Sequence, residues 1–86
     1  MPELSRFFGI IILMFFDDHP PPHFHVRYGQ QKAIVSIETL AVLDGRLSPR
    51  VLGLVVEWAS LHRLELRKAW TSAEKHIPLD KIAPLE

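Results

Sequence analysis

With ten Lys/Arg balanced by ten Asp/Glu over 86 residues, the chain has no net charge and no general attraction for nucleic acid or acidic membranes. Its 48% hydrophobic and 23% charged residues are those of a folded chain with one modest core, which excludes disorder. The absence of cysteine excludes disulfides, thiolate nucleophiles and Cys-type zinc sites, and fits a reducing cytoplasm.

Met1 to Arg6 is a short polar lead. The run from Phe7 to Phe16 is apolar throughout, and ten residues fall well short of the roughly 20 needed to cross a bilayer as a helix. Only Arg6 precedes it, and Asp17-Asp18-His19-Pro20 stands where a signal peptide has small cleavage-site residues. A cytosolic protein with no membrane segment is expected. Three consecutive isoleucines favour a strand over a buried helix, and the lack of polar positions makes that strand central in its sheet. Gly9 marks a bulge or a close approach.

Pro20-Pro21-Pro22 fixes three φ angles and offers no backbone donors, so it reads as a stiff, extended connector. The next segment, His23-Phe24-His25-Val26-Arg27-Tyr28, alternates with period two. Phe24, Val26 and Tyr28 share one face; His23, His25 and Arg27 share the other. Gly29-Gln30 suits a type II′ hairpin turn, with Lys32 to Ile37 returning. This turn pairs Arg27 with Lys32, Val26 with Ala33, His25 with Ile34, Phe24 with Val35 and His23 with Ser36. A one-residue slip destroys the separation of apolar and polar faces.

Glu38-Thr39 predicts a turn and Leu40–Leu43 a short strand closed by Asp44-Gly45. Ser48-Pro49 is a strong helix start, a capping hydroxyl followed by proline at the first helical position. The helix is expected to run to about Lys75, because Pro78 stops it soon afterwards. Leu52, Val55, Ala59, His62, Leu66, Trp70 and Ala73 recur at spacings of three and four and form its inward stripe. Trp58 and Trp70 read as core anchors, and His62 as a hydrogen-bonded core histidine. Leu54, Leu61 and Leu64 leave surplus apolar surface. Either the chain self-associates through it, or the segment Ile77–Leu85 folds over it as an extended strap.

His23 and His25 point to the same side of a strand, a good spacing for two imidazoles on one transition-metal ion such as zinc. His19 is the nearest further donor, but polyproline geometry holds it roughly 12 Å away. Asp17, Asp18 and His62 are alternatives without a sequence signal of their own. A metal-free acid–base site is the other chemical reading. His23 and His25 would exchange protons while Arg27 and Lys32 bind a phosphate, as in a ribonuclease. The plainer reading makes all four a polar sheet face.

Ser5-Arg6-Phe7-Phe8-Gly9-Ile10-Ile11-Ile12, Asp18-His19-Pro20-Pro21-Pro22-His23-Phe24-His25-Val26, the helical Val56–Leu66 segment and Ile82-Ala83-Pro84-Leu85 together resemble a bacterial family, domain of unknown function 4160. Leu13 departs from its pattern, standing where a polar or basic residue is more usual. The resemblance implies a small cytoplasmic bacterial protein without an assigned activity. It also implies a neighbouring gene for another small family, numbered 2442, in an arrangement like a toxin–antitoxin pair.

The expectation is one α+β domain over residues 1–86, a mainly antiparallel sheet of three to four strands packed against one long C-terminal helix. A protein-binding module, as a homodimer or with a partner protein, is the first functional reading. The histidine-centred site comes second. Direct DNA binding comes last, since the charge is neutral and no helix-turn-helix is present.

Overall fold

The apolar run at the start of the chain is folded in two. In the computed structural model, which describes residues 3–86, a turn at Phe8-Gly9 separates β1 (Glu3–Phe7) from β2 (Ile10–Leu13). Both turn residues have positive φ (51° and 80°), the conformation of a two-residue type I′ hairpin. The single central strand expected from Phe7 to Phe16 is therefore incorrect. Glu3 to Arg6 of the supposed polar lead belong to an edge strand, paired antiparallel with β2, while Met1 and Pro2 lie outside the described residues. Phenylalanine is a poor residue for a left-handed position, and its presence hid a turn that Gly9 alone only hinted at.

Three more strands, β3 (His23–Tyr28), β4 (Gln31–Ser36) and β5 (Val42–Arg46), complete an antiparallel meander in the order β1-β2-β3-β4-β5. The β3–β4 register is the one expected, from His23 opposite Ser36 to Arg27 opposite Lys32. The fifth strand starts and ends later than its apolar residues suggest. Asp44-Gly45 lies inside it, and an irregularity between Ile34 and Val35 lets Ile34 face Asp44 and Val35 face Val42. Gly45 explains how such a pair of turn formers sits in a strand. At its φ of 82°, an added Cβ would lie 2.2 Å from the Lys32 carbonyl oxygen.

The helical half begins as expected. Ser48 caps α1 (Pro49–Leu61) by accepting from the Val51 N–H, with Pro49 at the first position. In place of one helix there are two, because His62 leaves helical geometry (φ −121°, ψ 25°) and its N–H bonds Ala59. The second helix, α2 (Arg63–Glu74), continues the same inward phase through Leu66, Ala69, Trp70 and Ala73. That continuity is why periodicity alone shows no break.

Alternate strand positions face the helices. Phe7, Ile10, Ile12, Phe24, Val26, Ala33 and Val35 pack with Val51, Val55, Trp58 and Leu66 in one core. Trp58 is fully buried, its ring centroid 5.5 Å from Phe7 and 6.0 Å from Phe24. The C-terminal segment is the strap the sequence allowed. The Ile82 N–H donates to Leu4, the Trp58 indole donates to Ala83, and Ile82 is buried. The strap does not reach Leu61 and Leu64, which stay 68% and 76% exposed. Among the described residues, no helix is long and apolar enough to cross a membrane.

Candidate functional site

The β2–β3 connector brings a carboxylate back over the strand that follows it. The chain turns at Phe16-Asp17, with Asp17 at positive φ (59°), and the Pro20–Pro21 peptide is cis. Asp18 Oδ2 then lies 2.9 Å from His23 Nε2 and 2.9 Å from His25 Nε2. The other carboxylate oxygen accepts the His19 backbone N–H at 3.2 Å, which orients the group. His23 is buried, whereas His25 and Asp18 are partly exposed, so the cluster is sunk into the surface and reachable from one side.

The His23 ring is held on every side. Its Nδ1 is 2.7 Å from the Pro21 carbonyl, and its centroid lies 5.1 Å from Trp70 and 5.3 Å from His25. A carbonyl can only accept, so Nδ1 carries the proton. In a neutral ring, Nε2 would then turn a lone pair toward the Asp18 carboxylate. Such a contact is attractive only when a proton or a metal cation lies between the two atoms. Phe15 packs edge-on against His25 at 4.4 Å and limits its rotation. Burial raises the Asp18 carboxyl, but hydrogen bonds from His25 and His23, the His23 charge and the His19 N–H outweigh it. The result is a pKa below the ordinary carboxylate value.

Of the residues singled out from sequence, His23 and His25 come together. Asp18 joins them, although it carried no signal beyond its place before the prolines. His19 is exposed and stays outside the cluster. Arg27 and Lys32 are also outside it, but share the sheet face and border an open groove of about 220 Å³ with His25, Phe15 and Asp44. His62 packs on Trp58 at 5.6 Å and meets Glu65 at 2.6 Å, so it serves the helix junction. His76 was not distinguished in the sequence. It follows α2 and contacts Asp17 at 2.7 Å, tying the connector to the helical layer.

A family model described as "Domain of unknown function (DUF4160)" matches residues 9–71, which include β2 to β5, the whole Asp18–His23–His25 cluster and most of both helices. The chain belongs to this family. No curated protein and no solved structure matches the chain. Family membership supplies no mechanism, so chemistry has to be argued from the cluster itself.

Proposed function

We propose that this DUF4160 protein binds one divalent transition-metal ion of the zinc class through Asp18, His23 and His25. The carrying observation is the convergence of three metal-ligating atoms within 4.8 Å of one another, two of them imidazole nitrogens. An ion about 2.0–2.2 Å from each donor sets them about 3.3 Å apart at tetrahedral angles. Each imidazole nitrogen, now 2.9 Å from the Asp18 oxygen, reaches that spacing from it with a shift of about 0.4 Å, and the two nitrogens lie within 4.8 Å of each other. The Pro21 carbonyl and the His19 N–H act as outer partners that orient ligands and fix the His23 tautomer.

Titration of chelator-treated protein with zinc and cobalt, followed by calorimetry and NMR, tests the proposal. One equivalent should bind and move the His23 and His25 ring signals. Asp18→Asn and His25→Ala should abolish binding, and His19→Ala should not. At free metal about 100 times Kd, the gain in folding stability is about 2.7 kcal/mol. Unmoved ring signals at equimolar metal would refute the proposal.

A second reading, association with another protein or a second copy, draws on the exposed Leu61 and Leu64 at the α1–α2 junction. Light scattering of wild type and Leu61→Ser/Leu64→Ser separates a dimer from a monomer. Co-purification with the product of the neighbouring gene tests a toxin–antitoxin-like pair.

A further inference from the structure

The sheet register lines up a row of cations on the face away from the helices. Reading across the strands, Arg6 pairs with Ile11, Ile11 with Arg27, Arg27 with Lys32, and Lys32 with Arg46. Arg6 is neutralised by Glu3 at 2.8 Å. Arg27, Lys32 and Arg46 are all exposed, and among the described residues none has an ion-pair partner. Lys32 thus has a like charge directly opposite on both sides. Like charges in that relation are destabilising. The chain has ten acidic residues to place there; Asp44, on this face opposite Ile34, borders the same groove but makes no ion pair with the row. A neutral protein that keeps three unpaired cations abreast breaks a local rule of sheet design, the usual mark of a binding surface.

We infer that this face binds the phosphodiester backbone of single-stranded nucleic acid; it shares His25 with the proposed metal site but needs no metal. The three cations stand on adjacent strands across two strand spacings, roughly 10 Å of backbone, a spread suited to successive charges on a polymer. Phe15 and His25 border the same groove as Arg27 and Lys32, so flat rings adjoin the charged row. Cationic tracks beside aromatic rings are how strands are held without sequence preference, with phosphates on the charges and bases on the rings. An acidic peptide matches the charges but has no use for the rings. Whole-chain neutrality argues only against a general attraction, and leaves this local row intact.

Fluorescence anisotropy with labelled oligouridylate and oligothymidylate of roughly 12 nucleotides, in chelator, tests the inference. Three phosphate contacts predict a log–log salt slope of about −2, a loss of roughly 18-fold between about 50 and about 200 mM salt. Lys32→Glu should weaken binding at least about tenfold, as it reverses the central charge. It should melt no lower than wild type, since it relieves two like-charge pairs, and Lys32→Gln serves as a milder second variant. Asp18→Asn, which removes the metal-site carboxylate, should still bind both oligonucleotides. Absent binding at low salt, binding indifferent to both Lys32 variants, or equal competition by polyglutamate would each overturn the inference.

Discussion

Replacing Asp18 by asparagine keeps the shape of the connector and removes the charge that two imidazoles share. Each hydrogen bond to a charged group contributes roughly 1.5–3 kcal/mol. The Asp18 side chain is 25% exposed, and asparagine still has one oxygen for one ring, so the net loss should be about 2 kcal/mol. In a chain of this size that lowers Tm by roughly 8–16 °C. The pH dependence is the sharper test. The folded-state pKa of Asp18 is depressed below its ordinary value, by hydrogen bonds and charge that outweigh burial. A group depressed on folding adds stability that is complete above its unfolded pKa and is lost as pH falls through the folded one. The gap between wild type and Asp18→Asn should therefore be widest on the acid side of neutrality, above the carboxylate range, where His23 Nε2 can hold the proton that its contact with Asp18 requires. It should close below about pH 4, where a protonated aspartic acid resembles asparagine. Urea unfolding of both proteins in chelator across this range measures it. Equal midpoints at about pH 5.5, or a gap that persists undiminished in stronger acid, would refute the role given to Asp18.

Two further substitutions probe how the sheet and the strap are held. Gly45→Ala should cost more than about 3 kcal/mol in denaturant, because strain at positive φ adds to a backbone collision. Its Cβ would meet the Lys32 carbonyl oxygen at 2.2 Å and Ala33 Cα at 2.8 Å, neither of which can swing aside; a wild-type midpoint would contradict that reading. Trp58→Phe removes the indole donor to Ala83 and some core volume, and should cost about 2 kcal/mol. Hydrogen exchange at Ile82, whose N–H is bonded to Leu4, should speed up if the strap loosens, and unchanged exchange would dissociate Trp58 from the strap.

What could be read from the sequence was what periodicity and turn chemistry control. The Gly29-Gln30 turn and the alternation on both sides of it place five residue pairs correctly, from His23–Ser36 to Arg27–Lys32. Ser48-Pro49 marks the helix start for equally local reasons. The errors have one physical form, an element interrupted without its usual punctuation. Phe8 takes a left-handed position that favours glycine or asparagine, so two strands look like one. His62 breaks a helix with neither proline nor glycine, and the apolar stripe stays in phase through it. The cation row was hidden for another reason. Arg27 and Lys32 are neighbours through the predicted hairpin, but Arg46 joins them only through a strand that was expected to end at Leu43 and runs to Arg46.

The two adjacent aspartates show what a sequence cannot distinguish and a fold can. Asp17 and Asp18 have the same chemistry, yet the turn between β2 and β3 gives them unlike surroundings. Asp17 meets His76 where both side chains are more than half exposed, and such a pair contributes about 0–1 kcal/mol. Asp18 meets two ring nitrogens, one of them on a side chain only 8% exposed, where solvent screens far less. The connector is thus anchored weakly to the helical layer by one residue and firmly to β3 by the next. A metal ion held by Asp18 would add to the firm anchor and leave the weak one unchanged. The same reasoning explains why His19, one residue further on, is no ligand. Its backbone already orients the carboxylate, and its side chain is exposed and outside the cluster.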